Sequence, residues 1–405
     1  MSDEPIFNRR ALLGAAAVTA LAKPATAEPV SGDVRVEGYC DPRFNGLKDA
    51  FQANLASGAD VGASVSVVLD GKPVADLWGG YADKARARPW KRDTIVIVAS
   101  TSKGLTGLCA NMLIDRGLLD PDELVTKYWP EYGQNGKEHT KVRWLMDHRA
   151  GLPDVAGSPQ IFMDWNATVT ALAQAKPLWE PGTEHSYHAM TYGFLVGEIV
   201  RRVSGKTVGH FLQDEVAKPL HVDAYIGTPS AKDPMIAEVI SDTGGSSFLT
   251  SVAARRVEMP AGNAHTNGRS LARIYGALAR GGEVDGVRLL SGSTLAHATS
   301  YCVTGPWHGV SVMAGPTQTS DTKFAQGVVL NSPVSYMGTN PYAFGYAGAG
   351  GSESFADPAA KLGFGYAMNR FAEISTRNSR CGRLVAAVYD ALGCESAWNF
   401  DPHTG

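Results

Sequence analysis

The run Thr94-Ile-Val-Ile-Val98-Ala-Ser100-Thr-Ser-Lys103-Gly-Leu-Thr-Gly-Leu-Cys109-Ala-Asn-Met-Leu-Ile114 decides how this 405-residue chain folds. Its β-branched opening, Thr94 to Val98, predicts a short strand, and Ser100 to Ile114 carries helical periodicity. Leu105, Leu108, Cys109 and Met112 form an apolar stripe, while Ser100, Lys103, Gly107 and Ala110 lie opposite. A surface helix would place several charges on that second face. Here Lys103 is the only charged residue between Thr94 and Ile114, so the helix is expected to be buried on both sides. Ser100 and Lys103 then share one helix face, close enough for the amine to take the hydroxyl proton. Burial penalises the ammonium and lowers its pKa from about 10.4 toward the range of a base at neutral pH. The N-terminal end of the helix dipole favours a developing alkoxide at Ser100. The residues alone leave a second reading open, with Ser100 as a helix cap and Lys103 snorkelling to water. Ser320-Asp321-Thr322-Lys323 repeats the spacing in a polar stretch and reads as solvated surface.

On either side of this helix the pattern is uneven. Asp41 can cap a helix with Pro42 in its first turn, followed by Phe44, Leu47, Phe51 and Leu55 at helical spacing. Val65 to Leu69, the turn Asp70-Gly71 and Val74 to Trp78 predict a hairpin. From about residue 122 to 285 strand signals fade and helices dominate. Strands return with Gly348 to Ala356, a turn at Asp357-Pro358, and Leu362 to Met368, before a closing helix around Leu384 to Leu392. These signals predict an α+β fold, an antiparallel sheet flanked by helices with a mostly helical inserted domain. The division expected is 28–121 with 286–405 for the discontinuous α/β domain and 122–285 for the helical one.

The N-terminal residues read as an export signal. Asn8-Arg9-Arg10 precedes an apolar run from Ala11 to Ala22, and Ala25-Thr26-Ala27 is a small-residue cleavage pattern. Paired arginines give it a twin-arginine character, so cleavage after Ala27 and a periplasmic or secreted destination are expected. Twelve apolar residues are too few to span a bilayer, and no stable membrane anchor is expected. Apolar residues make up 44% and charged residues 19%, which excludes a disordered or polyelectrolyte chain. Lys and Arg number 37 against 40 Asp and Glu, with no basic block, so nucleic acid is not an expected partner. The five cysteines are widely spaced without a Cys-x-x-Cys, so they read as structural thiols rather than a disulfide scaffold or zinc site. No His-Glu-x-x-His, Walker loop or Gly-x-Gly-x-x-Gly occurs, and no metal or other cofactor is expected. Gly-x-Ser-x-Gly is also missing, which argues against a Ser-His-Asp hydrolase.

Ser-x-x-Lys on a buried helix after a short strand resembles the serine hydrolases of the β-lactamase and penicillin-binding-protein superfamily. Further segments are similar to one branch, the class C β-lactamase-like or family VIII carboxylesterases. These are Leu145-Met-Asp-His-Arg-Ala-Gly-Leu-Pro153, Pro181-Gly-Thr183 with Ser186-Tyr-His-Ala189, and Gly348-Ala-Gly-Gly-Ser352. The resemblance runs from about residue 40 to 395. It implies that Ser100 is the nucleophile, Lys103 its base, and Tyr187 the tyrosine that shuttles a proton to the leaving group. It implies an oxyanion hole from the backbone N–H groups of Ser100 and Ala349, with Tyr346 and Gly348 of the third motif beside the substrate. Trp307 is a candidate for the pocket wall, as are Trp144, Phe162 and Trp165, although core packing is the competing reading for such aromatics.

Two departures from the β-lactamase pattern bear on substrate. Ala189 stands where Tyr-x-Asn has its asparagine, and Tyr346-Ala347-Gly348 replaces Lys-Thr-Gly. The missing groups hold a substrate carboxylate and amide, so the resemblance implies small uncharged esters before lactams or peptides. Alternatives of the same superfamily remain: a peptidase or amidase, a weak β-lactamase, an acyltransferase, or a non-catalytic penicillin-binding-like sensor. The physiological substrate and the oligomeric state are not legible in the residues.

Overall fold

The computed structural model describes residues 34–156, 158–241, 248–300, 303, 308, 321–372 and 377–394. The expected export signal (1–27), Trp307 and Ser320 lie outside the described residues.

Strand β1 (Val36–Cys40) leads to Asp41, whose carboxylate accepts the Arg43 N–H at 3.0 Å, and then to helix α1 (Asn45–Ala56). Strands β2 (Gly62–Leu69) and β3 (Lys72–Gly80) form the expected hairpin. Asp70 and Gly71 both take positive φ, +48° and +79°, as a two-residue turn matched to strand twist requires. Strand β4 (Val96–Ile97) runs into a 3-10 turn at Ala99–Thr101 and helix α2 (Ser102–Asp115), two residues later than the periodicity predicts. Every α2 residue from Ser102 to Leu113 is buried, in keeping with Lys103 being the only charged residue in that stretch.

The middle of the chain is largely helical, with α3 (Val142–Met146), α4 (Trp165–Gln174) and α5 (Thr191–Ser204). Short strands β5 (Ala224–Tyr225) and β6 (His265–Thr266) follow, then α6 (Gly268–Ala279). The C-terminal part adds β7 (Lys323–Phe324), β8 (Val329–Leu330), β9 (Phe344–Ala347), β10 (Glu353–Asp357), β11 (Leu362–Met368) and α7 (Arg380–Ala391). Eight of these strands form one sheet in the order β1-β3-β2-β11-β10-β9-β8-β7, with every neighbouring pair antiparallel. A smaller sheet, β4-β6-β5, holds the strand that feeds α2.

Alternation along β11 explains the layering. Leu362, Phe364, Tyr366 and Met368 join a core with Phe51 and Leu55 of α1 and Leu384 and Val388 of α7. Gly363 and Gly365 point the other way, where α6 lies at backbone contact. A Cβ on Gly365 would stand 2.2 Å from the Gly268 carbonyl, and one on Gly363 2.2 Å from the Gly276 nitrogen. Period-two alternation thus buries large side chains under one helical layer and leaves room for the opposite helix to press on the strand itself.

Two expectations need correction. Residues 268–279, assigned by sequence to the helical segment 122–285, form α6 on the main sheet, so residue 285 is not a layer boundary. Helical periodicity marks a helix but not the layer it joins. Gly348 to Ala356 is also not one strand: β9 stops at Ala347, the chain turns, and β10 starts at Glu353. Gly350 and Gly351, at φ +88° and +108°, take a conformation that breaks strand geometry and suits a turn.

Substituting Gly365→Ala should destabilise the protein by about 1–3 kcal/mol through overpacking against α6. Gly46→Ala in α1, where a Cβ meets nothing within 4 Å, should be neutral or stabilise by about 0.4–1 kcal/mol. Urea unfolding of both variants checks the contrast.

Candidate active site

Ser100 sits at the elbow between β4 and α2. The residue before it, Ala99, adopts φ +44°, a left-handed conformation uncommon outside glycine. Such a residue costs on the order of 1–3 kcal/mol and persists only when its surroundings hold it. Here Ser102 Oγ donates to the Ala99 carbonyl and accepts the Ala264 N–H at 2.9 Å. The Val98 N–H donates to the Ala264 carbonyl at 2.9 Å, so the loop before β6 grips the elbow on both sides.

At the second residue of α2, one turn beyond Ser100, Lys103 is fully buried, with Nζ 3.2 Å from Ser100 Oγ and donating to the Ala261 carbonyl at 2.9 Å. Desolvation pushes its pKa well below that of an ordinary lysine. A neutral amine keeps two N–H groups and one lone pair, and with one N–H on Ala261 the lone pair is available to the Ser100 proton. Tyr187 approaches from the other side, donating through its Oη to Ser100 Oγ at 2.7 Å. Its ring lies 4.7 Å from Lys103 Nζ. Burial raises the Tyr187 pKa, so the phenol keeps its proton and serves as a donor.

The third motif closes the site through backbone. The Gly348 carbonyl accepts the Gly351 N–H at 3.0 Å. In a trans peptide C=O and N–H point in opposite directions, so the Ala349 N–H is aimed out of this turn, at an exposed residue. The turn is pressed against the elbow: a Cβ on Gly348 would lie 2.2 Å from the Val98 carbonyl. Ser352 Oγ donates to that same carbonyl at 2.8 Å and lies 3.1 Å from Thr101 Oγ1. From behind, the buried Arg380 guanidinium donates to the Gly350 carbonyl and pairs with Asp60 at 2.9 Å.

Ser100 with Lys103, Tyr187, and the turn carrying Ala349 are therefore brought together from three separate segments of the chain. Tyr346 and Gly348 of the third motif lie against the same elbow and loop. Both are buried: Tyr346 has its Oη 2.9 Å from His148 Nε2, and a Cβ on Gly348 would lie 2.2 Å from the Val98 carbonyl. Phe162 and Trp165 pack on Phe194 of α5, and Trp144 lies under Gly182, which assigns them to the framework. Sequence reasoning gave no role to Ser102, His148, Ser352 or Arg380. Three of these fall inside the quoted motifs, which was the available signal; Arg380 carried none.

The chain matches the family model described as Beta-lactamase over residues 47–387. It is 34% identical over 374 residues to "Esterase/beta-lactamase LipL" of Mycobacterium tuberculosis, covering 83% of each chain. The crystal structure of a family VIII carboxylesterase superposes with a TM-score of 0.81 at 35% identity, covering 88% of this chain and all of that one. A penicillin-binding-protein homologue from Caulobacter crescentus gives 0.79 at 34%, with coverage of 88% and 100%.

Covalent labelling of Ser100 by a fluorophosphonate should rise with pH as Lys103 loses its proton, with a midpoint well below the ordinary lysine value of 10.5. Lys103→Met should remove that limb and slow labelling about 10²–10⁴-fold. Gly348→Ala, which pushes the turn off the elbow, should slow the same reaction about 10²-fold with thermal unfolding still cooperative.

Proposed function

Since the chain belongs to the β-lactamase family, we propose that it is a serine carboxylesterase that cleaves small, uncharged esters through an acyl-enzyme on Ser100. The observation that carries this reading is the contact of Ser100 Oγ with both Lys103 Nζ (3.2 Å) and Tyr187 Oη (2.7 Å). Lys103 accepts the Oγ proton as the alkoxide attacks the acyl carbon. The N–H groups of Ser100 and Ala349 hold the tetrahedral oxyanion. Tyr187 protonates the departing alcohol oxygen and is reprotonated from Lys103. Water then attacks the acyl-enzyme, its proton passes through the same pair, and Ser100 leaves with its hydroxyl restored.

The ester preference is supported by what the third motif lacks. Tyr346 carries no charge where lysine would meet a substrate carboxylate, and its phenol is engaged by His148. An alcohol also leaves more readily than an amine, so an ester needs less activation than a lactam or peptide. The similarity to a family VIII carboxylesterase and to a protein named as an esterase points the same way.

Purified protein should hydrolyse short-chain p-nitrophenyl esters with kcat/KM about 10²-fold or more above that for cephalosporins or peptides. Ser100→Ala should lower ester hydrolysis at least ~10³-fold. Undiminished hydrolysis by Ser100→Ala would remove the nucleophile assignment, and a single burst without turnover would favour a sensor that acylates only.

A further inference from the structure

Between Tyr187 and the third motif stands His148, a buried residue at φ +68° in the loop after α3. Its hydrogen bonds have a fixed polarity. The His188 backbone N–H donates to His148 Nδ1 at 3.0 Å. A backbone amide nitrogen offers only its proton, so Nδ1 must present a lone pair. The neutral ring then carries its proton on Nε2, which lies 2.9 Å from Tyr346 Oη. Tyr346 accepts this bond, and its own O–H is left for another acceptor.

The same residue brackets Tyr187 from both sides. The His148 carbonyl accepts the Ser186 N–H at 3.2 Å, while its Nδ1 accepts the His188 N–H. The peptide nitrogens on either side of Tyr187 are thus tied to one residue, and the His148 ring packs 5.1 Å from the Tyr187 ring. His188 is oriented in turn. Its Nε2 accepts the Leu152 N–H at 3.0 Å, so its Nδ1 bears the proton and donates to the Ser186 carbonyl at 2.6 Å. Tyr192 and Phe324 close over His148 at 5.0 and 4.3 Å.

We propose that His148 is a positioning residue which, as the neutral tautomer protonated on Nε2, sets Tyr187 over Ser100 and locks the polarity of the Tyr346 phenol. A proton on Nδ1 would face the His188 N–H, two donors head to head, and release one side of the bracket. The surroundings oppose that proton: burial holds the ring neutral. The kinetic consequence rests on the esterase reading; the tautomer does not.

Two substitutions separate the two nitrogens. His148→Asn places an amide oxygen near the Nδ1 position and keeps the acceptor for His188. His148→Gln reaches the Nε2 position with an N–H but gives up that acceptor, and His148→Ala gives up both. His148→Asn should keep kcat within about 10-fold of the unmodified enzyme, whereas Gln and Ala should lose about 10²-fold from a displaced Tyr187, with KM within about 3-fold throughout. Equal kcat for the Asn and Gln variants would overturn the bracket. Long-range proton–nitrogen NMR on histidine-labelled, unsubstituted protein should show His148 neutral with its proton on Nε2. A proton on Nδ1 overturns the proposal even if no variant folds. If no ester is turned over, fluorophosphonate labelling of Ser100 replaces kcat, which separates failure of this inference from failure of the esterase reading.

Discussion

A fully buried lysine amine, held 3.2 Å from a serine hydroxyl, is the constraint around which this molecule is arranged. An ammonium in bulk water is no base at neutral pH; only desolvation makes it one. Desolvation has to come from every direction, and no single element can supply it. Helix α2 contributes a face of small residues, so that neighbours reach its backbone. A Cβ on Gly104 would lie 2.2 Å from Tyr275 Oη, and one on Gly107 2.3 Å from the Gly327 carbonyl. The helical middle of the chain contributes Tyr187 and the Ala261 carbonyl, and the sheet contributes Tyr346. Burying Lys103 thus draws on the helical middle of the chain as well as on the two strand-rich segments.

Around that amine, polarity is fixed mostly by backbone groups. The elbow at Ala99, the turn at Gly348–Gly351 and the loop at Tyr187 are each held by carbonyls and amides whose direction cannot change without unfolding a segment. Arg380 shows how far this extends. Its guanidinium spans Ala59, Asp60, Gly350 and Arg370, joining the loop after α1, the turn carrying Ala349 and the start of α7. A buried charge is tolerable only when paired, and the Asp60 carboxylate that pairs it also accepts from Tyr366 Oη at 2.7 Å. The rear of the Gly348–Gly351 turn is therefore as tightly specified as its front.

The third motif brings an uncharged side chain, the buried Tyr346 phenol, to this region. Burial raises the Tyr187 pKa, so the phenol keeps its proton and donates to Ser100 Oγ at 2.7 Å, while burial lowers that of Lys103. Histidines take over the orienting work. His148 and His188 are both buried and neutral, and burial pushes His188 down to about 4. They contribute directed hydrogen bonds rather than charge.

Local physics made much of this legible in the residues. The Asp70-Gly71 hairpin, the capped α1 and the doubly buried α2 follow from turn chemistry, capping and a missing charge, and Ser100 with Lys103 follows from helical spacing. The motif around Tyr187 was recognised by resemblance. The placement of α6 on the sheet was not legible, because its amphipathic pattern is compatible with any apolar partner and its sheet contact is made by glycine backbone. The turn at Gly348–Gly351 read as strand, because a glycine run shows freedom of φ without its sign. His148 and Arg380 went without roles for a further reason. His148 lies 40 residues from His188 and 198 from Tyr346, and Arg380 lies 320 from Asp60. Spacing along the chain determined which residues could share a helix face; only the tertiary fold decided which hydrogen bonds meet at the serine, because their direction exists only once distant segments are packed together.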